Sequence, residues 1–266
     1  MSRSDLNLTG SLRTGSSNDF KHQLDKDIGL AQECAKLSDK HDGHDVSDSN
    51  QLLTIVTLDL PGQGRSELKH PEMEKAAPVM LYFRFCGQVC GKLMEQLGHR
   101  TYSVGGWSDG ARVAALLAIE RQSRVNCLLL WGFVPVMDDL SVNAISRVRD
   151  TNVWDPNVLE TYVSVYGEQR FSELWRQYVD FIVSNLDLNE RFDIRDELKK
   201  IKCPTVVLHG TYDPLVDYKA HVEPIEMQIY DSEIVQINGA PHNMHQAQSD
   251  KFNRAFAQLI NLVSAH

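Results

Sequence analysis

The sequence predicts an α/β fold, with a mostly parallel central sheet flanked by helices. Three observations predict it. "CLLLWGF" (Cys127 to Phe133) and "TVVLHG" (Thr205 to Gly210) are near-continuous apolar runs, as expected of strands covered on both faces. Stretches of helical periodicity separate the strand-like runs, and such alternation implies parallel strands joined by right-handed crossovers. A length of 266 residues, with 42% hydrophobic and 24% charged, suits a soluble chain of one large domain or two small ones.

Taken in order, "LLTIVTLDL" (Leu52 to Leu60) is rich in β-branched and apolar residues and stops at Pro61-Gly62, so it reads as a strand. "VMLYFRFCGQVCGKLMEQLG" (Val79 to Gly98) has helical spacing, and Gly98 suits the position just past a helix end. "TYSVGGW" (Thr101 to Trp107) is a short strand running into glycines, and "DGARVAALLAIERQ" (Asp109 to Gln122) is the helix after it. "MQIYDSEIVQING" (Met227 to Gly239) carries a weaker strand signal. "SDKFNRAFAQLINLVSA" closes the chain as a helix, with Ser249 expected as its N-cap.

Two regions break this rhythm. Residues 29–50 are polar and rich in Asp, Ser and His; His41 and His44 with the nearby aspartates could hold a metal, but a solvated loop is the expectation. Residues 136–200 read as helical and aromatic, with Asp155 capping a helix whose first residue is Pro156. The expected organisation is therefore a core made of residues 1–135 and 201–266, with a helical lid at 136–200 over the sheet's carboxyl edge.

The formal net charge is −9, which ill suits nucleic acid or an anionic membrane surface. No apolar run is long enough to span a bilayer, and the first residues lack a signal-peptide core, so a cytoplasmic protein is expected. Cys34, Cys86, Cys90, Cys127 and Cys203 are odd in number and scattered, which fits buried residues in a reducing compartment better than a disulfide framework. No partner pair stands at zinc spacing, and no metal or organic cofactor is expected.

The motif that carries chemistry is "GGWSDGAR" (Gly105 to Arg112). A serine at a sharp strand-to-helix turn is held in a strained backbone, and side chains two before and two after it would collide. Gly106 and Gly110 occupy those places around Ser108. The helix that follows directs N–H groups at the hydroxyl, as a nucleophile forming an oxyanion requires. Such a serine needs a base and an orienting acid, in the order Ser, Asp, His, each at a strand's carboxyl end. Asp213 follows "TVVLHG", and His242 follows the last strand signal. His245 is the competing base, and His209 reads as a packed histidine at a strand end.

These stretches resemble the α/β-hydrolase superfamily, and within it the valacyclovir-hydrolase-like (biphenyl-hydrolase-like) family. The similarity is carried by "LDLPGQGRS", "GWSDG", "WDPNVLETYVSVYG", "CPTVVLHGTYDPLV" and "PHNMH", from about Leu53 to the end of the chain. It implies a serine esterase cleaving α-amino acid esters, with Ser108, Asp213 and His242 as the triad. It implies that the Asp109 carboxylate holds the substrate's ammonium group. The oxyanion hole would comprise the N–H groups of Asp109 and Ser11, the latter in a turn with Gly10 and Leu12. It also implies a monomer acting on a small-molecule ester, without nucleic acid or membrane, and allows a mitochondrial location. The N-terminus departs from the family pattern: the first two strands are not evident, and the third shrinks to about Leu6 to Thr9. An alternative reading is therefore a hydrolase-fold protein that binds without turning over. Carbon–carbon bond or lactone hydrolysis stays open as a lesser one, while epoxide and haloalkane hydrolysis would need Asp in place of Ser108.

Overall fold

The computed structural model describes residues 54–61, 63–64, 66, 79–187 and 192–264. By its internal contacts the chain divides into two units, residues 1–69 with 244–262 and residues 70–243 with 263–266.

The larger unit is built on four parallel strands in the order β1-β2-β3-β4: Tyr102–Trp107, Val125–Trp131, Thr205–Gly210 and Ser232–Ile237. The burial pattern explains their composition. Every residue of β3 is buried, and so are five of the seven in β2, whereas β1 and β4 are half exposed. The two apolar runs thus supply the inner strands. Helix α1 (Val79–Gln96) buries Val79, Phe83, Cys86, Cys90 and Leu93, a single stripe at helical spacing. Helix α2 (Asp109–Glu120) is buried from Ala111 through Ile119, including Arg112.

Among the described residues, 136–200 contain helices and turns, with a single isolated β-bridge and no strand. The helical elements are α3 (Asp139–Arg147), a 3₁₀ turn (Thr151–Val153), α4 (Pro156–Tyr166), α5 (Glu168–Asp187) and α6 (Arg195–Leu198). Asp155 caps α4 by accepting from the N–H groups of Asn157 and Val158, with Pro156 in the first helical turn, as expected. The aromatics form one cluster: the Trp154 ring centroid lies 5.7 Å from that of Tyr162, 5.6 Å from Phe171 and 4.9 Å from Trp175. The indole N–H groups of Trp154 and Trp175 both donate to the Val148 carbonyl, at 2.8 and 2.7 Å. The two ends of the segment meet. Val136 and Asp193 form an antiparallel bridge, Met137 N–H donates to Phe192 O at 2.8 Å, and Ile194 N–H donates to Pro135 O at 3.0 Å.

Beyond β3, a π-helical turn (Tyr218–Val222) and the short α7 (Ile225–Gln228) lead to β4. In the smaller unit, α8 (Met244–Ala247) and α9 (Ser249–Ser264) follow, and Ser249 is the first helical residue of α9.

One expected element is corrected. The strand predicted at Leu52 to Leu60 is not formed over its described part: Thr54 to Leu60 has no regular secondary structure, and none of its residues is buried. Leu58, for example, is 38% exposed. β-branched residues favour strands by packing on a pleated surface with neighbours, and composition alone does not supply those neighbours. The shortened strand at Leu6 to Thr9 and the polar stretch 29–50 lie outside the described residues, with His41, His44 and Cys34.

Candidate active site

Because the strands are parallel, the residues that follow β1, β3 and β4 gather at one edge of the sheet. Ser108 follows β1 directly, Asp213 lies three residues past β3, and His242 lies five past β4.

Ser108 occupies the turn into α2 with φ 54 and ψ −116 and makes no side-chain cap hydrogen bond to the helix. Among the described residues it alone combines a side chain with a positive φ. Such a conformation costs on the order of 1–3 kcal/mol and persists only where the surroundings impose it. Here Ser108 N–H donates to Trp131 O at 2.9 Å across the ladder, continuing the Trp107–Trp131 register. The tight turn needs a glycine before it: a Cβ on Gly106 would stand 2.1 Å from Gly110 O. The matching expectation for Gly110 is corrected, since a Cβ there would meet nothing within 4 Å. The crowding is one-sided because Gly110 already lies in the helix and contributes its carbonyl, not its Cβ, to the approach.

Asp213 and His242 are brought together. His242 Nδ1 is 2.7 Å from Asp213 Oδ2, with the aspartate side chain wholly buried and the imidazole side chain 14% exposed. The other carboxylate oxygen of Asp213 accepts from the N–H groups of Leu215 (2.8 Å) and Val216 (3.2 Å). The turns carrying the two residues are stitched together: Tyr212 N–H donates to Ala240 O at 3.0 Å, and Gly239 N–H donates to Thr211 Oγ1 at 2.8 Å. His242 is also tied to the strands that frame Ser108. Its carbonyl accepts from the Trp107 indole N–H at 3.0 Å, and its ring centroid lies 5.5 Å from that of Trp107.

His245 lies on α8 with its ring 6.0 Å from that of Phe252. His209 is buried at the end of β3 beside Tyr218, at 5.3 Å, and burial holds its imidazole below the usual value.

Asp109 is the first residue of α2, where helical geometry leaves its N–H without an intrahelical acceptor. Ser11, named with it for the oxyanion hole, lies outside the described residues, as do Gly10 and Leu12. The Asp109 carboxylate has a partner that sequence reasoning missed. It forms an ion pair with Arg112, one turn along the helix, whose side chain is only 9% exposed. The guanidinium lies against two aromatic rings that pack edge-on, 5.6 Å from Phe83 and 5.5 Å from Phe192, and its Nε–H donates to Val134 O at 3.2 Å. From α5, the Tyr178 phenol comes beside the same carboxylate; burial, then that negative charge, pushes it well above its ordinary value. The legible signal was the Asp-x-x-Arg spacing in a first helical turn.

The four described cysteines are free and buried, and burial pushes Cys86 up to about 12 and Cys90 to about 11. These thiols are packing groups, not nucleophiles. No His/Cys/Asp/Glu group able to hold a metal occurs among the described residues, and no helix among them is long and apolar enough to cross a membrane.

Comparison with known proteins extends this picture. A model of the alpha/beta hydrolase family matches residues 35–255. Human (Homo sapiens) serine hydrolase BPHL is 26% identical over 206 residues, covering 77% of this chain and 69% of that protein. The pimeloyl-[acyl-carrier protein] methyl ester esterase of Legionella pneumophila (strain Corby) is 26% identical over 219 residues, covering 74% and 80% respectively. Among solved structures, a bacterial membrane phospholipase A superposes with a TM-score of 0.61 at 20% identity, covering 81% of this chain and 72% of that one.

Proposed function

The chain belongs to the alpha/beta hydrolase family, and on that premise we propose that it is a serine hydrolase of small carboxylic esters. Ser108 is the nucleophile, His242 the base and Asp213 the acid that orients it. The observation that carries the reading is the 2.7 Å contact between the His242 imidazole and the buried Asp213 carboxylate, at the same sheet edge as Ser108 on its strained turn.

In this mechanism the Asp213 carboxylate accepts from Nδ1–H of His242, which leaves Nε2 free to take a proton. The Ser108 hydroxyl attacks the ester carbonyl carbon and passes its proton to Nε2. The resulting oxyanion is held by N–H donors, those of Asp109 and Ser11 in the expected arrangement. Collapse expels the alcohol, which takes the proton from Nε2, and leaves an acyl-serine. Water then attacks the acyl carbon, giving its proton to His242, and collapse releases the acid and restores Ser108. None of these steps calls for a metal or organic cofactor. The helical segment 136–200 serves as a lid on a core of residues 1–135 and 201–266, and the enzyme works as a cytoplasmic monomer.

For the acyl group, we favour α-amino acids, with Asp109 as the anchor for the ammonium. The support is the family resemblance together with the position of Asp109 beside Ser108. The ammonium would share the carboxylate with Arg112.

The test is labelling with a fluorophosphonate. The wild-type protein should react at Ser108, and Ser108→Ala should not. The same substitution should lower ester turnover by about 10⁴- to 10⁶-fold while leaving the circular dichroism unchanged. An unlabelled wild-type protein would favour a hydrolase fold that binds without turnover. A panel of aminoacyl and neutral esters then decides the acyl preference.

A further inference from the structure

A second buried polar group lies behind the Asp213 turn. His221, in the π-helical turn after β3, is 1% exposed. Its Nδ1 accepts the Asp217 N–H at 3.3 Å, which places the ring proton on Nε2. That Nε2–H faces both oxygens of the Asp138 carboxylate, at 3.2 and 3.1 Å. Asp138 is the N-cap of α3, where residues 136–200 begin, and Ser141 donates to it from both its N–H (2.9 Å) and its hydroxyl (2.8 Å).

The turn from Asp213 to Asp217 is therefore held in three places. At its start it is stitched to the His242 turn through Tyr212 and Ala240. In its middle the Leu215 and Val216 amides bind Asp213 itself. At its end the Asp217 amide is held by His221, and this hold reaches beyond the two turns of the site, to the root of the helical segment. His221 and Asp138 are a packed, hydrogen-bonded strut, so the strut's length fixes where the end of the turn can lie.

We propose that His221, braced by Asp138, is a positioning residue that holds the Asp213 carboxylate in register with His242. The proposal rests on the triad reading above. His221 acts through the turn and touches no reacting atom. Its loss leaves Ser108, Asp109 and Arg112 in place, so the penalty falls on turnover and not on substrate binding.

The experiment compares wild-type protein with His221→Leu, Asp138→Leu, Asp138→Asn and the His221→Leu/Asp138→Leu double variant. The first readout is the low-field proton resonance of the His242 Nδ1–H bonded to Asp213. The second is kcat per serine titrated by fluorophosphonate, with KM measured alongside. His221→Leu should weaken or abolish the resonance and lower kcat per titrated serine by about 5- to 50-fold, within the range a 1 Å misplacement commands. KM should stay within about twofold. Asp138→Asn keeps an acceptor for His221 and Ser141 and should restore both readouts. The double variant should be no worse than either leucine variant, as partners in one strut require. A His221→Leu protein with the wild-type resonance and wild-type kcat per titrated serine would overturn the proposal. The resonance reports the Asp213–His242 pair whether or not esters are cleaved. A wild-type protein that shows it but does not label refutes the serine chemistry, while the variants still decide the strut.

Discussion

A Cβ on Gly132 would stand 2.7 Å from Cε1 of His242 and 3.2 Å from Cδ1 of Trp107. Gly132 follows the strand residue paired with Trp107, and its φ is 58°. Its bare backbone is thus one wall of the imidazole's seat. Gly132→Ala should cost about 1–2 kcal/mol for the left-handed backbone, and it should also push the ring off Asp213. Activity should fall by up to about 10²-fold in a protein that is still folded by circular dichroism. Full activity in this variant would mean that the imidazole moves aside without consequence.

The two glycines around Ser108 should behave oppositely. Gly106→Ala drives a methyl against the Gly110 carbonyl and should prevent the turn from forming, with loss of soluble, labelled protein. Gly110→Ala places its methyl in open space on a helix. It should raise stability by roughly 0.5–1 kcal/mol and leave esterase activity within about twofold. Urea titration and a steady-state assay read both outcomes.

Asp109 and Arg112 should depend on each other. Asp109→Ala strands a nearly buried guanidinium, and breaking such pairs costs up to about 3–5 kcal/mol. Asp109→Ala/Arg112→Met should recover much of that loss in a denaturant titration. On the substrate side, Arg112 already engages one carboxylate oxygen, so an incoming ammonium gains less than it would from a free acid. Asp109→Asn should lower kcat/KM for α-amino esters relative to neutral esters of the same size by about tenfold, or 1.4 kcal/mol. Equal losses on both would assign Asp109 to its arginine alone.

Stability should fall at both extremes of pH for identifiable reasons. Burial raises Cys86 from 9.0 to about 12, so the fold holds the neutral thiol. That contribution is complete below pH 9 and is lost as the pH climbs towards 12, so urea midpoints should drop over this window and drop less in Cys86→Ala. At the acid end, burial opposes the ionisation of Asp138, but hydrogen bonds from Ser141 and His221 outweigh it and hold the carboxyl below 3.8. Its contribution is present above that value and disappears as the pH falls through the lowered one. Asp138→Asn should flatten the acid limb of the stability curve.

The placement of Ser108, Asp213 and His242 after β1, β3 and β4 could be read from the chain because each is tied to a local signal: a glycine-framed serine after a strand, an Asp-Pro after "TVVLHG", a histidine after the next strand. A parallel sheet then does the assembly, since all carboxyl ends share one edge. Arg112 could not be read this way. Its meaning depends on Phe83 and Phe192, which come from distant segments and close over it only in the folded state. His221 was hidden likewise, because Asp138 lies 83 residues away. The Gly110 expectation failed because G-x-S-x-G is symmetric as text, whereas a strand precedes the serine and a helix follows it. Leu52 to Leu60 misled through its composition, which records a liking for neighbours and not their presence.

The bridge between Val136 and Asp193 makes residues 136–193 a loop whose ends are already fastened side by side. Chain-closure entropy grows only slowly with length, by about 0.6 kcal/mol per doubling. The stretch inside the fastening can therefore change length at little entropic cost, provided Phe192 beside the Arg112 guanidinium and Tyr178 beside the Asp109 carboxylate are kept. Insertions at that doorway, with Asp138 and its contact to His221 retained, offer a way to vary the helical segment without altering Ser108, Asp213 or His242.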